Sequence, residues 1–178
     1  MTRKRLLVAL AAVAALFMGT LVVANSAAAG NFGERISGNF VDVAVDSNGD
    51  GFTANYFSGA AQGSGSPAYE GVVEIAFPVE PIDCGVAGME GDVVAYSMVR
   101  RYGNGDLLYS RLIDGSLCFD PGGTTTLTVE AEFFDGTGRH QDATGSYTVD
   151  FVVDGLLPDT GGGVAHAAFY GESFGVLD

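Results

Sequence analysis

Alternation of apolar and polar side chains with a period of two is the feature of this 178-residue sequence that most restricts its fold. The clearest stretches are 127–133, LTVEAEF, and 147–154, YTVDFVVD. Such alternation places apolar residues on one face of a β-strand, and no stretch after residue 30 keeps the 3.6-residue period of an amphipathic helix. The chain is therefore expected to form β-sheet with one buried face.

Glycine-rich turn signals separate these stretches from further strand candidates. Asn48-Gly49, Asn104-Gly105 and Asp114-Gly115 are each typical of a tight hairpin loop. The remaining strands are predicted at 37–45, 52–58, 71–77, 93–101, 107–113, 117–119 and 164–176. Eight or nine short strands at this spacing predict an all-β, antiparallel eight-stranded barrel, with a β-sandwich as the alternative. No second domain boundary is visible, so 30–178 is expected to be a single domain.

The first 29 residues have the organisation of a signal peptide. Basic residues at 3–5 precede an almost unbroken apolar run from Leu6 to Val23, and small residues then lead to Ala29. Cleavage is predicted after Ala29, and an uncleaved membrane anchor is the alternative. We expect a secreted or periplasmic protein whose mature chain contains no membrane span.

The predicted mature chain is strongly acidic and contains no lysine. Its 5 basic residues stand against 22 acidic ones, which gives a formal charge of −17. Such a charge disfavours nucleic acid and anionic membrane surfaces as partners and favours cations. The absence of lysine also excludes Schiff-base chemistry on a lysine side chain.

The chain has two cysteines, Cys84 and Cys118. In an exported protein, an even pair without Cys-x-x-Cys spacing most simply forms one structural disulfide. The bond would close a loop of about 34 residues, for which the chain-entropy model gives ~4 kcal/mol of stabilisation.

A segment at 46–51 offers a candidate cation site. Asp46, Asn48 and Asp50 occupy the first, third and fifth positions of a loop that begins like an EF-hand, with Gly51 at the sixth. The twelfth position is Phe57 where an EF-hand has a bidentate glutamate, so a complete EF-hand is excluded. Two interpretations remain, an ordinary hairpin turn and a weak Ca²⁺ site.

A predicted hairpin around Asn104-Gly105 contains a candidate ligand site. If these two residues form the loop, Arg100 pairs with Tyr109 and Met98 with Arg111, which places Arg100, Tyr109 and Arg111 on one face. Such a cluster would suit a carboxylate ligand. The alternative is that the arginines pair with acidic residues of the protein itself.

The stretch 136–147, GTGRHQDATGSY, resembles the Gly-x-Gly-x-aromatic-x-Gly-Ala-x-Gly turn of the allene oxide cyclase and dirigent barrels. It differs from that pattern at His140, which replaces the aromatic residue, and at Asp142, which replaces a glycine. The resemblance implies a closed eight-stranded barrel with a ligand cavity, in which this turn joins two late strands. It carries over no catalytic residue, because only the turn matches.

These features lead to three hypotheses about function. The first two are non-catalytic: an acidic barrel that binds a small apolar or amphipathic ligand in its interior, and a structural component of a cell surface or matrix. The third is a cyclase or isomerase, which requires an acid or base inside the barrel with a perturbed pKa. Glu74 and His166 are its candidates, because both lie in predicted strands.

Overall fold

The computed structural model describes residues 30–45, 54–76, 84, 88–120, 124–154 and 166–178. These residues form eight strands and one short 3-10 helix. The strands are β1 (Gly30–Val45), β2 (Ala54–Gly63), β3 (Ala68–Ala76), β4 (Met89–Arg101), β5 (Leu107–Phe119), β6 (Thr124–Gly136), β7 (Gly145–Asp154) and β8 (His166–Leu177). The helix, Gly138–His140, lies between β6 and β7.

The eight strands form one closed antiparallel barrel. Each strand pairs with the next along the chain, and β8 pairs with β1 over twelve residue pairs to complete the ring. Closure leaves no open sheet edge among the described strands. The predicted barrel is confirmed, and the β-sandwich alternative is wrong.

Strand β5 corrects one detail of the predicted strand pattern. The segments 107–113 and 117–119 belong to one continuous strand, although Asp114-Gly115 was predicted to be a turn. Pairing with β6 shifts register between Leu112 and Asp114, and the Asp114 carboxylate accepts a hydrogen bond from the Gly115 amide at 2.8 Å. The turn-forming pair therefore makes a β-bulge within a strand and does not end it.

The interior of the barrel is a contiguous core to which all eight strands contribute. Phe57 is central to it: its ring stacks on Tyr96 at 5.7 Å and contacts Phe151 and Phe169 at 6.1 and 6.2 Å. A β-carbon at Gly71 would collide with the Phe57 ring, so this glycine makes room for a large aromatic side chain. Aromatic packing of this kind gives a filled barrel of defined geometry.

The disulfide predicted from the sequence is present. Cys84 and Cys118 are bonded, with their Cα atoms 5.8 Å apart. Cys118 lies near the end of β5, so the bond fixes residue 84 to the barrel wall. Within the part of the chain that the structure describes, no helix is long and apolar enough to cross a membrane.

Candidate functional site

Arg100 on β4 is the largest fully buried side chain of the described residues, and its position depends on the β4–β5 hairpin. The Gly105 amide donates to the Tyr102 carbonyl and the Tyr102 amide donates to the Asp106 carbonyl, both at 2.9 Å. Gly105 has a φ of +90°, so the hairpin has a three-residue loop closed by a left-handed glycine. The two-residue loop expected from Asn104-Gly105 is wrong.

The extra loop residue shifts the register of the whole hairpin by one. Arg100 pairs with Leu108 and Val99 with Tyr109, whereas the prediction paired Arg100 with Tyr109. Because side chains alternate across a strand, Arg100 points into the barrel while Tyr109 and Arg111 lie on its outer surface. The three residues predicted to share one face are therefore divided between the two sides of the wall.

On the outer surface, Arg111 already has partners from the protein. Its Nε lies 2.7 Å from Glu132 Oε1, and its guanidinium carbon is 5.2 Å from the centre of the Phe134 ring. Tyr109 stacks on the same ring at 6.1 Å. These contacts make a solvent-exposed patch rather than an enclosed carboxylate site.

Inside the barrel, Arg100 forms an ion pair with Glu34 of β1. Arg100 Nε donates to Glu34 Oε2 at 3.0 Å, and the two side chains are 1% and 0% exposed. Removing both charges from water costs several kcal/mol per ion, so such a pair persists only with further compensation. Three aromatic rings offset part of this cost through cation–π contacts with Arg100. The guanidinium carbon lies 4.9 Å from the Phe32 centroid, 5.3 Å from Phe133 and 4.5 Å from Tyr147.

A chain of hydroxyl groups extends from the ion pair across the core. Arg100 Nη1 reaches Ser110 Oγ at 3.5 Å, and Ser110 Oγ lies 2.7 Å from Tyr147 Oη. Tyr147 Oη is 3.2 Å from Tyr96 Oη, and Ser110 donates to the Met98 carbonyl at 3.3 Å. With Ser110 donating to that carbonyl, Tyr147 donates to Ser110, and the Tyr96 hydroxyl lies between two acceptors, Tyr147 Oη and Met98 Sδ at 3.6 Å. We call Glu34, Arg100, Ser110, Tyr147 and Ser173 the Arg100 cluster.

Three polar atoms of the Arg100 cluster have no hydrogen-bond partner among the described residues. They are Glu34 Oε1, Arg100 Nη2 and Ser173 Oγ, and all three are buried. Ser173 on β8 is the register partner of Glu34 on β1. The Ser173 hydroxyl is close enough to lower the pKa of Glu34, yet its geometry does not complete a hydrogen bond to the carboxylate. Unpartnered buried polar groups are rare in folded proteins and require an explanation.

Burial and the contacts between neighbouring side chains together set the pKa values in and around the cluster. It raises the pKa of Glu34 above its ordinary value of 4.5, and the charge and hydrogen bond of Arg100 oppose that rise. Burial alone would lower the pKa of Arg100, but interactions with Tyr147, Glu34 and Tyr96 raise it. Burial, followed by the nearby Tyr147, also raises the pKa of Tyr96. At neutral pH, Arg100 therefore carries its charge and Tyr96 keeps its proton.

The two residues considered as interior acids or bases occupy other positions. Glu74 is buried at 1% exposure and lies beside a register shift of the β3–β4 pair, on the opposite face of β3 from Tyr69 and Val73. His166 is the first residue of β8, where its backbone pairs with Val41. Glu74 is not one of the residues of the Arg100 cluster, and the side chain of His166 lies outside the described part of the structure.

A second polar cluster surrounds the turn between β6 and β7. His140 stacks on Tyr102 at 4.5 Å, and its Nε2 accepts a hydrogen bond from Arg139 Nε at 3.1 Å. Burial and the Arg139 charge lower the pKa of His140, so the ring is neutral at pH 7. The backbone at Asp142 has a φ of +60°, a left-handed conformation that a glycine adopts at lower cost than other residues. Asp142 thus keeps the backbone geometry expected of glycine at the position where the sequence departs from the turn pattern.

The outer face of β8 exposes apolar side chains. Tyr170 and Phe174 are 56% and 57% exposed, and Val176 continues the same face at 43%. Arg35 and Glu172 form a solvent-exposed ion pair at 3.1 Å between Tyr170 and Phe174. An open groove lies next to this pair, over Gly33, and is bordered by Gln62, Gly63 and Phe174.

The predicted cation site, Asp46, Asn48 and Asp50, lies outside the described residues. Within the described ranges, no group of three or more His, Cys, Asp or Glu side chains is arranged to hold a metal ion. Ca²⁺ binding at residues 46–51 therefore stays a prediction.

Sequence reasoning missed the partners of Arg100. The signal for one of them is visible in retrospect, because Phe32, Glu34 and Ile36 alternate with exposed residues on β1, and an acidic residue stands at an inward position. A carboxylate on an otherwise apolar face implies a buried cation partner.

Comparisons of the chain with protein-family models, with curated proteins and with solved structures found no match.

Proposed function

We propose that this protein is a non-catalytic, exported β-barrel that serves as a structural component of a cell surface or extracellular matrix. One observation carries the proposal: the described side chains that point into the barrel pack against one another where a ligand cavity would be. Phe57 and its aromatic neighbours fill one part, and Arg100 with Glu34 and three aromatic rings fill another.

Two further features support a structural role. The barrel is closed, and a disulfide joins Cys84 to β5, both of which favour persistence in an oxidising, protein-degrading environment. The exposed Tyr170 and Phe174 on β8 offer apolar surface for contact with neighbouring molecules. The acidic charge keeps such a protein soluble until it is assembled.

The second candidate function is binding of a small molecule inside the barrel. The observation in its favour is the set of three unpartnered polar atoms in the Arg100 cluster. A cyclase or isomerase would need the same access to the interior, with Glu34, whose pKa is raised, as the acid or base. In both cases the filled core would have to open to admit the ligand.

Native mass spectrometry of the exported protein, before and after extraction with organic solvent, tests the proposal. We expect a mass that corresponds to residues 30–178 with the Cys84–Cys118 bond intact, unchanged by extraction. A reproducible additional mass that disappears on extraction would contradict the structural role and favour ligand binding. A mass that includes residues 1–29 would contradict the predicted cleavage.

A further inference from the structure

The three unpartnered atoms of the Arg100 cluster lie close together. In a guanidinium group, Nε and Nη2 share one edge, and Arg100 Nε already binds Glu34 Oε2 at 3.0 Å. Arg100 Nη2 and Glu34 Oε1 therefore extend from the same contact. Ser173 is the register partner of Glu34 on the neighbouring strand, which places the two β-carbons about 4.5–5.5 Å apart.

The hydrogen-bonding capacities of these atoms define what complements them. Arg100 Nη2 only donates, the ionised Glu34 Oε1 only accepts, and Ser173 Oγ does either. A matching group must accept one hydrogen bond and donate another from the same atom. A hydroxyl oxygen does this, whether it belongs to water or to an alcohol.

Charged ligand groups do not match the site. A carboxylate would accept from Arg100 but would face the unpaired oxygen of Glu34, and like charges in a buried site repel strongly. An ammonium group would donate to Glu34 but has nothing with which to accept from Arg100. The ion pair is already neutral as a whole, so a neutral group is the one that adds no uncompensated charge.

We propose that Glu34, Arg100 and Ser173 form an internal binding site for one neutral hydroxyl oxygen. Glu34 and Ser173 also border the open groove over Gly33, although the Glu34 side chain itself is 0% exposed. Buried polar atoms of this kind typically hold a water through about three hydrogen bonds. The proposal goes beyond the structural role and is independent of it.

The competing explanation for the unpartnered atoms is a small change in side-chain geometry, with no bound oxygen. A small rotation of the Glu34 carboxylate would make the Arg100 pair bidentate and satisfy Nη2 and Oε1 directly. That arrangement needs no additional oxygen, and the nearby Ser173 hydroxyl would then donate to the Glu34 carboxylate. The two explanations therefore differ in whether an exogenous hydroxyl lies near the guanidinium.

The test is solution NMR of the ¹⁵N-labelled mature protein, using water and ethylene glycol as the two probes. We expect cross-relaxation peaks between the Arg100 guanidinium protons and a long-lived water. If the natural occupant is the hydroxyl of a ligand, ethylene glycol should displace that water and shift the Arg100 ¹⁵N resonances saturably. No water peak and no saturable shift would overturn the proposal.

Matched serine variants test whether the signal is relayed through the hydroxyls of Ser110 and Tyr147. Ser173→Ala removes one arm of the site but keeps Ser110 and Tyr147, so relayed signals from those groups would persist. We expect Ser173→Ala to abolish or strongly weaken the water peak, and Ser146→Ala, at an exposed position on β7, to leave it unchanged. Equal water peaks in both variants would overturn the proposed three-residue site, because the bound oxygen would then not depend on Ser173.

Discussion

The strongest prediction concerns the energetics of the buried ion pair. Glu34→Leu leaves the Arg100 charge buried and without its carboxylate, and breaking one side of a buried pair costs about 3–5 kcal/mol. Arg100→Met should also destabilise the protein, because it leaves the Glu34 carboxyl in an apolar environment. The double variant replaces both charges with apolar side chains, a change that is often neutral or stabilising by about 1–4 kcal/mol.

Urea-induced unfolding at pH 7, with the disulfide intact, measures these differences in the free energy of unfolding. In a parallel thermal melt of a domain of this size, 3 kcal/mol corresponds to a shift in Tm of roughly 6–12 °C. The double variant should unfold at or above the wild-type midpoint, although each single variant unfolds well below it. Such strong non-additivity is the signature of two groups in direct contact.

The matched control is the exposed pair on the same barrel. Arg111 and Glu132 are also joined through Nε and a carboxylate oxygen, but their side chains are 60% and 40% exposed. Arg111→Met and Glu132→Leu should each change stability by no more than about 1 kcal/mol. If Glu34→Leu costs as little as Glu132→Leu, the interior placement of the Arg100 pair is refuted.

The cost of Arg100→Met should depend on pH. The pKa of Glu34 is raised in the folded protein, so its contribution to stability is fully present below 4.5 and is lost as pH rises through the folded value. In Arg100→Met no guanidinium opposes the rise in the pKa of Glu34, so the stability lost on ionising the buried carboxyl is larger. Arg100→Met should therefore be more destabilising at pH 7 than at pH 4.5, and equal costs at both would contradict the burial of the carboxyl.

Three other perturbations address the disulfide, the turn and the predicted cation site. Replacing Cys84 and Cys118 together with alanine should lower the free energy of unfolding by ~4 kcal/mol in denaturant melts, and a loss near zero would contradict a structural bond. Because the pKa of His140 is lowered in the folded protein, stability should fall as pH decreases through 6.5; His140→Phe should remove that slope, and an identical slope in the variant would assign it elsewhere. Asp46→Asn combined with Asp50→Asn should lower Tm only when calcium is present, and equal melting shifts with calcium and with chelator would identify the segment as a simple turn.

The register of the β4–β5 hairpin explains why Arg100, Tyr109 and Arg111 do not share one face, as the sequence had predicted. Asn104-Gly105 is a strong signal for a two-residue loop, but the loop spans Gly103–Gly105 and closes through Tyr102 and Asp106. A change of one residue in loop length moves side chains from one face to the other. Loop length depends on the packing of both strands, including the inward Tyr102, and a local motif does not specify that packing.

The start of strand β1 also could not be predicted correctly from the sequence. The sequence predicted this strand from Ser37, and the preceding segment 30–36 contains two glycines and two charged residues. In the structure β1 begins at Gly30, since pairing with β8 extends along its whole first half. The long-range pairing outweighs weak local propensity, which is more context-dependent for strands than for helices.

The sequence by itself determined the fold class, because period-two alternation and frequent turns leave few ways to bury one face of each strand. It also determined the disulfide, because two cysteines allow a single pairing. Only the tertiary structure decided that Arg100 points inward and meets Glu34, a residue 66 positions earlier in the chain. Closure of the barrel brings β1 and β4 together around a common interior, and alternation along a single strand identifies its faces without identifying what lies opposite.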